Sequence, residues 1–101
     1  MINKNTVISK LWSQETKEYL QNHQMKHIWI VWSIARWDNH NDSDVDIMYE
    51  YDDSQPMIWR WLLGAKTYIE KNLWVNVDIL DKDYLDELIK PFIYQHIIPI
   101  W

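Results

Sequence analysis

Cysteine is absent from this chain of 101 residues, and glycine, phenylalanine and proline are scarce, with one, one and three residues respectively. The absence of cysteine excludes disulfide bonds and thiol catalysis. No apolar run approaches the roughly 20 residues that a membrane-spanning helix needs, and the first residues lack the pattern of a signal peptide. We therefore expect a soluble cytoplasmic protein without membrane association, folded as a single domain over residues 1–101.

The charge balance is acidic, with a formal net charge of −5. Binding to a nucleic-acid backbone depends on neutralisation of phosphates by Lys and Arg, so this balance argues against a nucleic acid as the main ligand. A nucleoside triphosphate carried by Mg²⁺ is compatible with it, because the cation offsets nearby acidic side chains.

Hydrophobic spacing predicts strands that alternate with helices along the whole chain. Helices are predicted over 5–22, 58–73 and 84–89, strands over 27–31, 44–51 and 75–80, and a short helix at 34–36 and a last helical piece over 91–97 complete the pattern. Such alternation indicates a layered α+β domain in which a sheet packs against helices.

The most informative segment covers residues 32–46 and reads W-S-I-A-R-W-D-N-H-N-D-S-D-V-D. Ser33 stands at the head of a predicted turn, ten residues separate it from Asp44, and Asp46 follows on a predicted strand. Residues two apart on a strand project to the same face, so these two acids should lie about 7 Å apart along the backbone. Asp78, in the strand V-N-V-D-I, is a third candidate, because a buried acid costs free energy unless it is paired or coordinated. Carboxylates placed in this way suit Mg²⁺, which prefers oxygen ligands and leaves positions for substrate phosphates.

This segment resembles the signature of the minimal nucleotidyltransferases of the DNA polymerase β superfamily, which reads Gly-Ser, ten residues, Asp-x-Asp. The resemblance implies a nucleotidyltransferase fold with a small mixed β-sheet flanked by helices. It also implies ATP as substrate and two Mg²⁺ ions held by Asp44, Asp46 and Asp78, which are then the catalytic and metal-binding residues. In that family the third carboxylate also accepts or orients the proton of the attacking hydroxyl, a role that falls to Asp78 here.

The resemblance implies further positions that hold the phosphates of the nucleotide. Ser33 would contact the β- and γ-phosphates through its hydroxyl and backbone N–H, beside a short helix. Arg36 would either contact phosphate or pair with a local acid such as Asp42. The positions that correspond to nucleotide-binding residues are Trp32, Ser33, Arg36 and Ser43.

Tryptophan stands at two positions of the signature, Trp32 and Trp37, where the family has glycine. An ordinary domain carries roughly 7% glycine, and eight further glycines beside Gly64 would bring this chain close to that average. We therefore hypothesise that the gene has UGA codons at all eight tryptophan positions and that its organism decodes them as glycine. These positions are Trp12, Trp29, Trp32, Trp37, Trp59, Trp61, Trp74 and Trp101.

The position of Trp74 supports this hypothesis, because it follows a predicted helix and precedes a strand. A left-handed backbone is common there, and glycine adopts it at little cost. The alternative is that the tryptophans are genuine and form an aromatic-rich core. An indole at Trp32 would then fill the phosphate site, and we would expect catalysis to be impaired or absent.

The short, stand-alone members of this family are similar to antitoxins that neutralise a helical HEPN-type ribonuclease by transferring AMP from ATP to a tyrosine. The resemblance therefore implies a Mg²⁺-dependent adenylyltransferase with a HEPN-type helical partner protein. The alternative is an inactive binding module that assembles with such a partner through the apolar tail 92–100, a surface that could also serve a second copy of the chain. A third reading, modification of a small molecule such as an aminoglycoside, would require a further substrate domain.

Overall fold

The structure is a computed structural model that describes residues 4–31 and 45–101. Its helices and strands, in chain order, are α1 (Lys4–Trp12), α2 (Gln14–Asn22), β1 (Met25–Val31), β2 (Val45–Tyr51), α3 (Trp59–Leu73), β3 (Val77–Asp81), α4 (Lys90–Gln95) and β4 (Ile97–Pro99). The four strands form one sheet in the order β3-β2-β1-β4. β1 is antiparallel to β2 and β4, whereas β2 and β3 are parallel. A mixed sheet flanked by helices confirms the expected α+β fold.

Both faces of the central strand β2 are covered, and its alternate residues belong to two different hydrophobic clusters. Val45, Ile47 and Tyr49 join the main core. Helix α3 contributes buried residues at helical spacing to the same core, which places its apolar face on the sheet. Met48 joins Val31 and Ile93 in a smaller cluster. Because side chains alternate along a strand, Asp46 lies on the same face as Met48, opposite the main core.

The N-terminal helix predicted over 5–22 is two helices, and the break lies at Ser13. The Ser13 hydroxyl accepts a hydrogen bond from the backbone N–H of Thr16 at 3.3 Å, which is the geometry of a helix N-cap. Hydrophobic spacing continues across this point, so spacing alone does not reveal the break. The capping side chain ends one helix and starts the next.

The prediction of a helix over 84–89 is wrong. A 3₁₀ turn at Lys82–Tyr84 follows β3, and α4 begins only at Lys90. Between them, the Asp86 carboxylate accepts a hydrogen bond from the backbone N–H of Leu88 at 2.8 Å. Such local bonds from an aspartate compete with helical hydrogen bonding, and here no α-helix forms despite the apolar spacing.

The predicted helical piece over 91–97 ends early, and the residues after it form a strand that the sequence analysis missed. Ile97–Pro99 pairs antiparallel with β1, so that Ile30 lies opposite Ile98. Proline is tolerated here because β4 is at the edge of the sheet. Only the Ile97–Pro99 part of the apolar tail therefore pairs with the sheet as a strand. Within residues 4–31 and 45–101, no helix combines the length and apolar character needed to cross a membrane.

Helix α3 ends at Trp74, whose backbone has φ 56° and ψ 37°. This is the left-handed region, so the conformation expected at this position is confirmed. The N–H of Trp74 donates to the carbonyl of Glu70 at 2.8 Å, and its indole is 88% exposed. The left-handed residue turns the chain from α3 into β3, the strand that carries Asp78.

Candidate functional site

Two of the three predicted acids lie side by side on the parallel strands. Asp46 is the second residue of β2, Asp78 is the second residue of β3, and the two are register partners. Neighbouring strands lie about 4.7–4.9 Å apart, and register partners project to the same face. The two carboxylates therefore project from the same face of the sheet. The strand spacing predicted a shared face for Asp44 and Asp46, and Asp44 lies outside the described residues; the catalytic roles of Asp46 and Asp78 stay predictions.

The two acids differ in exposure. Asp46 is 1% exposed, whereas Asp78 is exposed to solvent on the edge strand β3. The expectation that Asp78 is buried is therefore wrong, because an edge strand has a neighbour on one side only. The argument that a buried acid needs a partner applies to Asp46 instead. One carboxylate is buried on the face opposite the main core, and the other is accessible to a reacting group.

The remaining predicted site positions, Trp32, Ser33, Arg36, Ser43 and Asp44, lie outside the described residues, as does Trp37. The segment that contains them is attached at Val31, the last residue of β1, and at Val45, the first residue of β2. Ile30 pairs with Ile47, so both attachment points are at the end of the sheet where Asp46 lies. The predicted phosphate segment is thus anchored next to the two described acids.

The chemistry of the donor set fits Mg²⁺, because two carboxylates on one face offer hard oxygen ligands and leave room for phosphates and water. Among residues 4–31 and 45–101, no three His, Asp or Glu side chains are grouped to hold a metal ion. The predicted set includes Asp44, which is outside these ranges.

Hydrogen bonds at the start of β2 and β3 fix the relative position of the two acids. The N–H of Val45 donates to the carbonyl of Asn76 at 3.3 Å. The N–H of Val77 donates to the Glu70 carboxylate at 3.0 Å. Sequence reasoning missed Glu70, because a glutamate in an amphipathic helix is ordinarily solvated and nothing in its spacing marks it. Only the return of the chain from α3 to β3 brings it to the strand.

A second polar contact joins the same two strands further along, on the opposite face. The Tyr49 hydroxyl donates to the Asp81 carboxylate at 3.3 Å. Burial, together with the negative charge of Asp81, raises the pKa of Tyr49 well above its ordinary value. This pair holds β2 and β3 together inside the main core and does not face the acids of the candidate site.

Comparison with known proteins identifies one similar sequence and several similar structures. No protein-family model matches the chain. The chain is 33% identical over 76 residues to a candidate protein adenylyltransferase of Methanocaldococcus jannaschii, in an alignment that covers 67% of this chain and 76% of that protein.

Three solved structures share the fold at 12–19% identity. A crystal structure of a toxin–antitoxin with AMP-PNP matches with a TM-score of 0.61, over 93% of this chain and 72% of the other. Two mutant forms of the toxin–antitoxin MntA–HpeT match with TM-scores of 0.60 and 0.58, over 86% and 100% of this chain and 70% and 73% of the others.

Proposed function

This chain belongs to the minimal nucleotidyltransferases of the DNA polymerase β superfamily, and on that premise we propose that it transfers AMP from ATP to a hydroxyl group of a partner protein. The observation that carries the proposal is the pairing of Asp46 with Asp78 on one face of the sheet, beside the anchors of segment 32–44. The name of the Methanocaldococcus jannaschii relative, a candidate protein adenylyltransferase, supports the choice of AMP and of a protein acceptor. We further propose that residues 1–101 act as one cytoplasmic domain.

Asp44, Asp46 and Asp78 would hold two Mg²⁺ ions. When bound, these ions supply positive charge that stabilises the charge developing on the α-phosphate and on the departing pyrophosphate. Asp46, buried on the central strand β2, would set the position of the donor set, and Asp44 precedes it by two residues. Since Asp78 is exposed, the hydroxyl of a large acceptor can approach it.

The reaction is a displacement at the α-phosphorus of ATP. The acceptor hydroxyl oxygen forms a bond to the α-phosphorus, and the bond from that phosphorus to the oxygen bridging the α- and β-phosphates breaks. Asp78 accepts or orients the hydroxyl proton, and pyrophosphate leaves with the bonding electrons. The products are an adenylylated hydroxyl and pyrophosphate.

Segment 32–44 would bind the triphosphate. Ser33 holds the β- and γ-phosphates, with Ser43 and Arg36 as further contacts. Glycine at position 32 would let backbone N–H groups approach the phosphates closely, whereas the indole of Trp32 would occupy that space. Genuine tryptophan at this position would therefore impair the reaction.

We propose a HEPN-type toxin as the acceptor, since the three matched structures are toxin–antitoxin assemblies. To test this, the protein is made with glycine at the eight tryptophan positions. It is then incubated with labelled ATP, Mg²⁺ and the product of the adjacent gene. Label should appear on that partner, and a variant with Asp44→Asn and Asp46→Asn should fold but transfer none. Folded proteins that yield no labelled partner would contradict the proposal. Labelling that survives the double substitution would remove these acids from the mechanism.

A second candidate function is a binding module that assembles with a partner without catalysis. The exposed apolar side chains near α4 favour it, since Tyr84, Leu88 and Phe92 are 82%, 80% and 50% exposed. Partner binding is expected under both functions, so only the transfer of label separates them.

A further inference from the structure

Glu70 links the last turn of α3 to the strand that carries Asp78. Its side-chain Oε2 accepts a hydrogen bond from the N–H of Val77 at 3.0 Å and lies 3.4 Å from Nζ of Lys66. Its backbone carbonyl accepts the N–H of Trp74 at 2.8 Å. One residue therefore fixes both ends of the connection between α3 and β3.

The N–H group that Glu70 binds is on the open edge of the sheet. Among the strands of residues 4–31 and 45–101, β3 pairs with β2 alone. Because Asn76 accepts a hydrogen bond from Val45, the alternation along a parallel strand directs Asn76 and Asp78 toward β2 and directs the N–H of Val77 away from it. A backbone donor in this partly buried place needs an acceptor. The Glu70 carboxylate provides it.

Helix stability does not explain a glutamate at this position. A negative charge near a helix C-terminus is destabilising, because that end of the helix macrodipole is itself negative. The ion pair with Lys66 also has the less favourable order, with the lysine four residues before the glutamate. The favourable contact that remains is the bond to β3.

We propose that Glu70 is a positioning residue that holds Asp78 in register with Asp46, an inference that rests on the proposed function. Asp46 is fixed by a central strand and is buried, whereas Asp78 is exposed on an edge strand. The place of the third carboxylate therefore depends on what anchors the edge. Glu70 anchors it one residue before Asp78, at Val77.

The test uses as its parent the full-length protein with glycine at the eight tryptophan positions and compares four variants of it. Glu70→Asp keeps the charge but shortens the reach, and Glu70→Ala removes the acceptor. Glu70→Gln keeps an acceptor oxygen, and Lys66→Met is the matched control that removes the ion pair and leaves the bond to Val77. Each variant is assayed for amide hydrogen exchange at Val77, for binding of Mn²⁺ in the presence of a non-hydrolysable ATP analogue, and for AMP transfer.

Glu70→Asp and Glu70→Ala should speed exchange at Val77 by about tenfold or more, weaken Mn²⁺ binding several-fold and lower kcat while leaving KM for ATP nearly unchanged. Glu70→Gln and Lys66→Met should resemble the parent. If Glu70→Ala fails to fold, the milder Glu70→Asp carries the comparison. Folded Glu70→Asp protein with the parent's Mn²⁺ affinity and kcat would overturn the positioning role.

Failure of this inference and failure of the proposed function give different results. A parent protein without AMP transfer, but with Mn²⁺ binding and Val77 exchange that still respond to Glu70, refutes the function and supports the positioning role. An active parent with an indifferent Glu70 refutes the positioning role alone.

Discussion

The backbone at Trp74 supplies a sharp test of the tryptophan hypothesis, because a non-glycine residue is strained there. Its φ of 56° places it in the left-handed region, which costs an L-residue roughly 1–2 kcal/mol. The indole is 88% exposed, so its removal forfeits little burial. Glycine also lowers the free energy of unfolding by about 0.4–1 kcal/mol, because it gives the unfolded chain greater conformational freedom. Trp74→Gly should therefore stabilise the protein by about 1 kcal/mol, the difference of these two estimates.

The assay is thermal unfolding followed by circular dichroism or calorimetry. For a domain of this size, about 1 kcal/mol raises Tm by roughly 4–8 °C. Trp74→Ala is the matched control, because it also removes the indole but keeps the Cβ and with it the left-handed penalty. Trp74→Ala should leave Tm near that of the parent. Equal Tm values for the glycine and alanine variants would refute the reasoning, since they would show that the backbone at this position carries no strain.

Three further predictions follow from other contacts. Trp101→Phe should cost about 1 kcal/mol in urea denaturation, because the indole N–H donates to the Leu11 carbonyl at 3.0 Å; an unchanged midpoint would contradict this bond. Ser13→Ala should also cost about 1 kcal/mol, since it removes the N-cap of α2, whereas Ser13→Asp should retain most of the stability. The raised pKa of Tyr49 means that the folded protein keeps a proton that the unfolded chain releases near pH 10.0, so stability should fall as the pH rises above that value. Tyr49→Phe should flatten this fall in unfolding experiments at increasing pH, and an equal slope in both proteins would show that Tyr49 is not its source.

The sequence was sufficient for those parts of the fold in which spacing and burial agree. The period of α3 and the alternation in β2 both follow from which face is apolar, and the pairing of Asp46 with Asp78 follows once β2 and β3 are neighbours. The break at Ser13 was missed because a single capping hydroxyl ended the helix without interrupting its apolar spacing. β4 was missed because a run of isoleucines fits a short helix and an edge strand equally well.

Glu70 shows why the candidate site could be predicted only in part. Motif spacing identifies residues that touch a substrate, since their chemistry constrains their type. A residue that holds another in place is identified by a contact, here between the side chain of α3 and the backbone of β3. Such a contact depends on where the chain returns after the helix, and local sequence does not encode that path.

The exposure of the tryptophans bears on whether these positions are tryptophan or glycine, and so on whether the proposed AMP transfer is possible. Trp12, Trp59 and Trp74 are 65%, 71% and 88% exposed, and none of the six tryptophans within residues 4–31 and 45–101 is buried. An aromatic-rich core is therefore the wrong account of Trp12, Trp59 and Trp74, whereas Trp29 and Trp101 are partly buried and pack against the two hydrophobic clusters. Trp12 is the last residue of α1 and Trp74 follows the last residue of α3, and helix ends are places where glycine is common.

The glycine hypothesis therefore predicts the mass of the protein made by its own organism. Peptides that span positions 12, 59 and 74 should carry glycine, and so should the peptide that contains Ser33, because one codon assignment governs all eight positions. With glycine at position 32, backbone N–H groups are free to approach a triphosphate, and the proposed transfer becomes sterically possible. Tryptophan in any of these peptides would refute a common decoding, and tryptophan beside Ser33 would favour the binding module over the enzyme.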